Sequence, residues 1–565
     1  MSDASVVRRR RRVLAVSVTA TATAALTLVA LAVGSGPPVG SARSTAKDPT
    51  AHARIELRTV RNFEATVPPQ CYTATAGISN PCWTCHVAPH HPNDLADWEL
   101  QEEYAFSDFA MTNRWSNLFV DRTDAVAAIS EAEILEWIRT DNYGPFREAM
   151  AGVADYPGYR PDLDFDAGFD AEGFANDGSG WRAIRYKPFL GTFWPTNGAT
   201  DDVLIRLPEH FGTLNGLANR EMLKVNYAIL DAAIAAGPMA GRRDADLVHR
   251  VEPVDEGVAG RDLDGDGTIG GIVEVIRGLP ERFCGDASEV AIERYKYPTG
   301  TEFLHTVRYI DPDAPSLRSR RLKELRYSRK VDYLDAWAMA YRYEREYNEK
   351  EDGELPVFTG SPLVGIRNGY GWQLQGFIED AEGDLRLQTA EEHQFCMGCH
   401  SAVGVSVDHT FTLPRKLPGA AGWGYDYLDG IPDVPQQGHD RGEILTYLER
   451  VGGGDEFRAN REMIERFFDG EGRVREDLVA RAGVGGDRDI RWLLEPSWDR
   501  AMLLNRIYRT IVAEQSYEFG RDAVTGPIEN VHELIENGST DLADTGRVFT
   551  DGVLWLDWSG VDTGD

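Results

Sequence analysis

Six cysteines stand in the sequence, and four of them fall into two copies of one short pattern. The first copy reads Cys82-Trp83-Thr84-Cys85-His86 and the second Cys396-Met397-Gly398-Cys399-His400. Two nearby thiols followed at once by an imidazole suit covalent attachment of haem c. The thiols form thioethers with the two vinyl groups of one porphyrin, and the histidine reaches the iron as proximal ligand. The pattern assigns Cys82, Cys85, Cys396 and Cys399 as covalent anchors and His86 and His400 as proximal ligands, for two haem c groups. A redox dithiol needs a strand-to-helix setting that neither copy shows, and a four-cysteine zinc site would leave both histidines without a role. The remaining pair, Cys71 and Cys284, is the right number for one disulfide in an oxidising compartment; the alternative is two free thiols.

What lies on the far side of each iron separates electron transfer, with both faces filled, from small-molecule chemistry at an open face. The nearby candidates are His90, His91 and Met111 for the first copy, and His393 and His409 for the second. Met111 sits at helical spacing among Phe106, Phe109 and Trp115, which reads as packing. His90 and His91 follow His86 too closely to cross to the far face of the same ring, so they would serve the other haem or lie on the surface. His90, His91 and His409 are carried forward as distal expectations. No residue is assigned a catalytic role, because the sequence holds no nucleophile elbow, Walker loop or H-E-x-x-H pattern, and its one G-x-G-x-x-G run lies inside the acidic turn at 265–270 and is no credible dinucleotide fingerprint.

A different chemistry is suggested by Asp262-Leu263-Asp264-Gly265-Asp266-Gly267-Thr268. Oxygen ligands at alternate positions (Asp262, Asp264, Asp266 and Thr268), with glycine at the sixth for the sharp turn, match the start of an EF-hand-like calcium loop. The closing acid is missing, since Val273 stands there and Glu274 is one residue late. A lone Ca2+ loop and an acidic solvated turn are the two readings.

The elements that must position these groups start with an export signal. Arg8 to Arg12 precede an apolar run from Val13 to Val33 and a small-residue stretch ending at Ala42. Residues 1–42 therefore read as a cleaved signal peptide or a retained N-terminal anchor, and the body as exported, periplasmic or otherwise extracytoplasmic. Net charge is −32, which disfavours nucleic acid as a partner. The further sections are a first haem c region (43–150), a middle region with the calcium loop (151–385), a second haem c region (386–440) and a C-terminal helical region with an acidic tail (441–565). Helix is expected over Asp94 to Thr140 with Ser130 as an N-cap, over Asn215 to Ala236, and over Ser316 to Tyr347. The last begins with Arg318, Arg320, Arg321, Lys323, Arg326, Arg329 and Lys330, read either as partners for haem propionates or as a solvated face. A hairpin is expected over 289–310 and a long loop over 151–180.

On the two motifs and the signal, the chain resembles bacterial exported di-haem c-type cytochromes. More distantly it is similar to di-haem cytochrome c peroxidases and di-haem rubber oxygenases, which also carry two such motifs on one exported chain. The resemblance implies electron transfer through two covalently attached haems to a redox partner protein; the acidic body favours a basic partner, and membrane contact is expected only through the N-terminal segment. Two rivals remain open: a peroxidase or oxygenase with one open iron, and a haem-bearing docking subunit of a respiratory complex. The expected fold is mainly α with extensive irregular loops and a minor β component, a multi-section di-haem cytochrome c. It is not the small single-haem fold, because Pro68, Pro69, Gly77 and Pro81 occupy the place of that fold's first helix.

Overall fold

An antiparallel sheet, and not a helical bundle, organises this chain. The computed structural model describes residues 47–565 apart from 58, 91–92, 94–95, 236, 238–246, 427, 454–459 and 562–565. Among these the strands are β1 (Arg182–Ile184), β2 (Thr200–Arg206), β3 (Thr213–Leu214), β4 (Leu217–Ala218), β5 (Val248–Asp255) and β6 (Ile272–Arg277). They continue with β7 (Glu302–Ile310), β8 (Arg318–Lys330), β9 (Thr359–Ser361), β10 (Gly365–Arg367), β11 (Trp372–Glu379) and β12 (Leu385–Leu387). Eight of them form one sheet in the order β1-β2-β7-β8-β11-β10-β9, with β12 added to β11. The mainly α expectation is therefore corrected.

The reason lies in β8, whose residues read from sequence as the first half of a helix. Opposite β7, Val307 pairs with Glu324 and Arg308 with Leu322, so Lys323 is bulged out of the ladder. The extra residue brings Leu322 and Leu325 into one apolar cluster with Leu304, Phe377 and Leu387. Two leucines three apart on one face are also the mark of a helix, so the bulge imitates helical periodicity. Pairing on both sides, with β7 and β11, overrides the helix propensity of Leu, Lys, Glu and Arg. Helix begins only at Ala336 and runs to Glu351. The expected hairpin is half present: its second arm is β7, but β7 pairs with β2 and β8.

Elsewhere local signals decide the outcome. Ser130 caps the helix Glu131–Arg139 in a full capping box with Glu133. The helix Arg220–Ile234 forms as expected and is buried along nearly its whole length. Most of Asp94 to Thr140 is irregular, because Ser107 and Asn113 spend their side chains on nearby backbone N–H groups of Ala110 and Trp115. The largest core cluster joins Val225 and Ile229 of the buried helix, Ile205 and Trp372 of the sheet, and Val403, Val405 and Val407. Cys85 and Cys396 pack at its margin.

Candidate functional site: two Cys-x-x-Cys-His segments

The first segment is a single turn. Pro81–Thr84 forms a 3-10 helix whose N-cap, Asn80, accepts from Trp83 N at 3.1 Å. The turn continues to His86, whose N–H donates to Cys82 O at 2.9 Å. His86 Nδ1 lies 3.2 Å from Asp97 Oδ2, and Val87 N donates to Asp97 Oδ1 at 2.9 Å. The C-terminal tail closes over this turn. Gln101 Nε2 donates to Phe549 O at 2.7 Å, Ala88 N to Thr550 O at 3.3 Å, and any side chain at Gly552 would strike Val87 and the Trp83 backbone.

The second segment ends a helix, Ala390–Met397, started by a capping box of Thr389 and Glu392. His400 Nδ1 donates to the backbone carbonyl of His409 at 2.9 Å. That carbonyl belongs to a tight turn in which Asp408 and His409 have φ of 45° and 58°. The turn is fixed by the buried pair Lys330 Nζ–Asp408 Oδ1 at 2.6 Å, and by the His409 ring stacked on Tyr370 at 4.1 Å.

The fold brings the two segments together. Asp97 Oδ2, which serves His86, also accepts from Gly404 N at 3.2 Å. Asn93 Nδ2 donates to Val403 O and Ser406 O, both at 2.8 Å. Burial pushes the Cys82 and Cys85 thiols up to about 12 and Cys399 up to about 11; Cys85 and Cys399 lie close enough for one to raise the other. Thiols held protonated in this way are unlike the low-pKa pair of a redox dithiol.

The distal expectations fare differently. The His409 ring is engaged at both nitrogens, with Nδ1 donating to Ser401 O at 2.7 Å and Nε2 lying 3.4 Å from the Tyr343 hydroxyl. Its structural service to His400 comes through its backbone. His393 is likewise used up, since Nδ1 donates to Thr389 O and Nε2 accepts from Gly376 N. His90 bridges to Asn93 with Nε2 buried and without a partner. His91 lies outside the described residues. Met111 is exposed and is not core.

Cys71 and Cys284 are both free thiols, which corrects the expected disulfide. Burial raises the Cys71 thiol well above its ordinary value, with Cys82, Cys85 and Cys399 adding to the shift, whereas Cys284 accepts at its carbonyl from Asn226 in the core beneath the buried helix. In the acidic loop, Asp262 accepts from Gly265 and Gly267, Asp264 from Asp266, and Asp266 from Thr268. Oxygens of Glu256, Asp262 and Asp264 lie within 4.8 Å of one another, so Glu256 joins these two loop carboxylates and the Asp266 carboxylate does not. Glu256 precedes the loop, and no spacing rule would have found it. Asp97, Tyr343 and Tyr370 were missed because no motif rule ties them to the histidines they serve, and Lys330, read from sequence as a propionate partner or part of a solvated face, instead pairs with Asp408.

A family model described as a "-like lipoprotein" matches residues 55–483. An "Uncharacterized lipoprotein" of Aquifex aeolicus (strain VF5) is 31% identical over 549 residues, covering 86% of this chain and 91% of that one. The chain belongs to this lipoprotein family, and an exported protein is what such a family implies. No solved structure matches. Membership of the di-haem c-type cytochromes, with the likeness to peroxidases and rubber oxygenases, is thereby corrected, and cytochrome c and electron transport do not describe the family. The resemblance rested on two five-residue motifs, which specify chemistry at a point and not a fold. Among the described residues no helix is long and apolar enough to cross a membrane.

Proposed function

We propose that this lipoprotein-family chain carries one covalently attached haem at each Cys-x-x-Cys-His segment and transfers electrons through the pair. One observation carries the reading. In both segments the histidine gives Nδ1 to an oxygen acceptor, Asp97 for His86 and the His409 carbonyl for His400, leaving Nε2 without a hydrogen bond. An iron-ligating histidine needs this arrangement, with one nitrogen fixed by a second partner and the other presented as a lone pair. Burial draws the His400 imidazole down to about 4, which keeps that lone pair available at neutral pH. Bound haem would supply one-electron chemistry between Fe(III) and Fe(II). The chain's own work is to fix the two imidazoles and to set the segments side by side, through Asp97 and Asn93, so that an electron can pass.

The test is the intact mass and absorbance of the full chain matured in a host that attaches c-type haem. Two haem masses per chain are expected, and one after Cys396 and Cys399 are both replaced by serine. A chain that carries none despite competent maturation overturns the reading. The rival reading is an enzyme with one open iron, favoured by two polar side chains, His305 of β7 and Arg326 of β8, that stand across from each other on the sheet beside the helix leading into the second segment.

The site of action is proposed to be the periplasmic or other extracytoplasmic side of the membrane. Residues before Lys47 include no cysteine, so the apolar run Val13–Val33, if retained, is the proposed anchor. With a net charge of −32, the proposed redox partner is basic, and its reaction rate is expected to fall as ionic strength rises in stopped-flow mixing. The loop at Asp262 and Asp264, with buried Glu256, is proposed to bind Ca2+, whose charge would offset three crowded carboxylates. Calcium should raise the melting temperature by an amount that grows with its concentration, and Asp264→Asn should remove the effect.

A further inference from the structure

The sheet offers the second segment a polar wall that no motif announces. His305 of β7 stands directly across from Arg326 of β8. On its other side Arg326 pairs with Gly376 of β11, whose N–H donates to His393 Nε2 at 3.0 Å, so the wall lies against the helix that leads into Cys396 to His400. Phe193 joins the two wall residues, meeting the His305 ring edge-on at 4.9 Å and lying 5.0 Å beneath the Arg326 guanidinium. Phe411 meets His400 edge-on at 5.8 Å and Phe189 at 5.0 Å, so the surroundings are otherwise aromatic.

His305 differs from the two motif histidines. Its Nε2 lies 3.4 Å from Asp201 Oδ2 without hydrogen-bond geometry, and among the described residues its Nδ1 makes no hydrogen bond. Asp201 is buried and is itself fixed by the Tyr186 hydroxyl. Neither nitrogen is therefore committed, and a carboxylate stands by to balance the charge that a proton would bring to the ring. Arg326 donates Nε to Glu324 at 2.9 Å, and Arg521 lies 3.5 Å from the same carboxylate, so Glu324 is shared between two guanidinium groups. That leaves the pair with positive charge to spare.

We propose that His305 and Arg326 receive a small protic ligand, of the hydroperoxide class, at the second haem. The inference rests on the reading that Cys396 to His400 carries haem. The O–H bond of the ligand breaks, its proton passes to His305, and the oxygen anion that remains is balanced by Arg326. Asp201 balances the imidazolium and is a positioning residue.

Hydrogen cyanide is a suitable probe, because it also gives up a proton and is held as its anion. The oxidised, fully matured chain should show a high-spin EPR signal and take up one cyanide. His305→Ala should slow that association about tenfold or more with both haem masses retained, and Arg326→Leu should weaken the bound state. His305→Gln, which keeps a polar side chain of similar size, should be as slow as His305→Ala. A matured protein that takes up no cyanide, or a His305→Ala variant that binds as fast as the parent, overturns the proposal. A chain with no haem at the second segment overturns instead the reading on which it rests, and the mass alone tells the two apart.

Discussion

The two Cys-x-x-Cys-His segments share a pattern and almost nothing else. The first is a 3-10 turn between prolines whose histidine leans on a side-chain carboxylate, Asp97. The second ends a capped helix, and its histidine leans on a backbone carbonyl in a turn pinned by a buried ion pair and an aromatic stack. A carboxylate partner makes an imidazole a stronger electron donor than a carbonyl partner does. With haem bound as proposed, the first site would have the lower reduction potential, and electrons would run from the first site to the second. One motif thus yields two unlike sites, because the difference is written in the acceptors and not in the motif.

The largest effect should come from removing a support unique to the second site. Lys330→Met leaves Asp408 buried without its cation and should cost about 3–5 kcal/mol in urea unfolding; a loss below about 1 kcal/mol would mean that the turn does not depend on the pair. Acid should come next. Burial holds His400 at about 4 and His409 at about 3, against an ordinary 6.5. Both therefore contribute stability that is complete above pH 6.5 and drains away as the pH falls toward 4. In the haem-free chain, amide protection over 400–410, taken relative to intrinsic exchange at each pH, should fall in that window; earlier loss of protection over 82–97 would invert the comparison. The smallest effect is expected from Asp97→Asn, which should cost about 1–2 kcal/mol while raising the potential of the first haem alone in a redox titration. Equal movement of both potentials would break the proposed distinction.

Part of the local structure could be read in the sequence, since Ser130 announces its helix by capping and the periodicity of 215–236 marks the helix that forms over 220–234. The sheet could not, and β8 shows why: a bulge at Lys323 places two leucines three apart on one face, the spacing that a helix would use. Each Cys-x-x-Cys-His segment could be located in the sequence because its pattern lies within five consecutive residues. Asp97, Glu256 and His305 were not, because each acts across a contact made only by the folded chain. The resemblance to di-haem cytochromes failed at the level of family for a related reason, as two short motifs say little about the residues of sheet and core between them.

The tail that lies over the first segment carries a consequence for the order of manufacture. Residues 547–552 leave the ribosome long after the first segment, yet they form the cover of Trp83, Val87 and Gln101. Until they arrive, the first Cys-x-x-Cys-His turn stays uncovered on that side, although it left the ribosome early. The second segment needs no such wait, because the helix, turn and β8 lysine that secure it are already outside. The earlier motif is thus the later one to be shut, and with haem attached as proposed a maturation enzyme would have its longest access to that site.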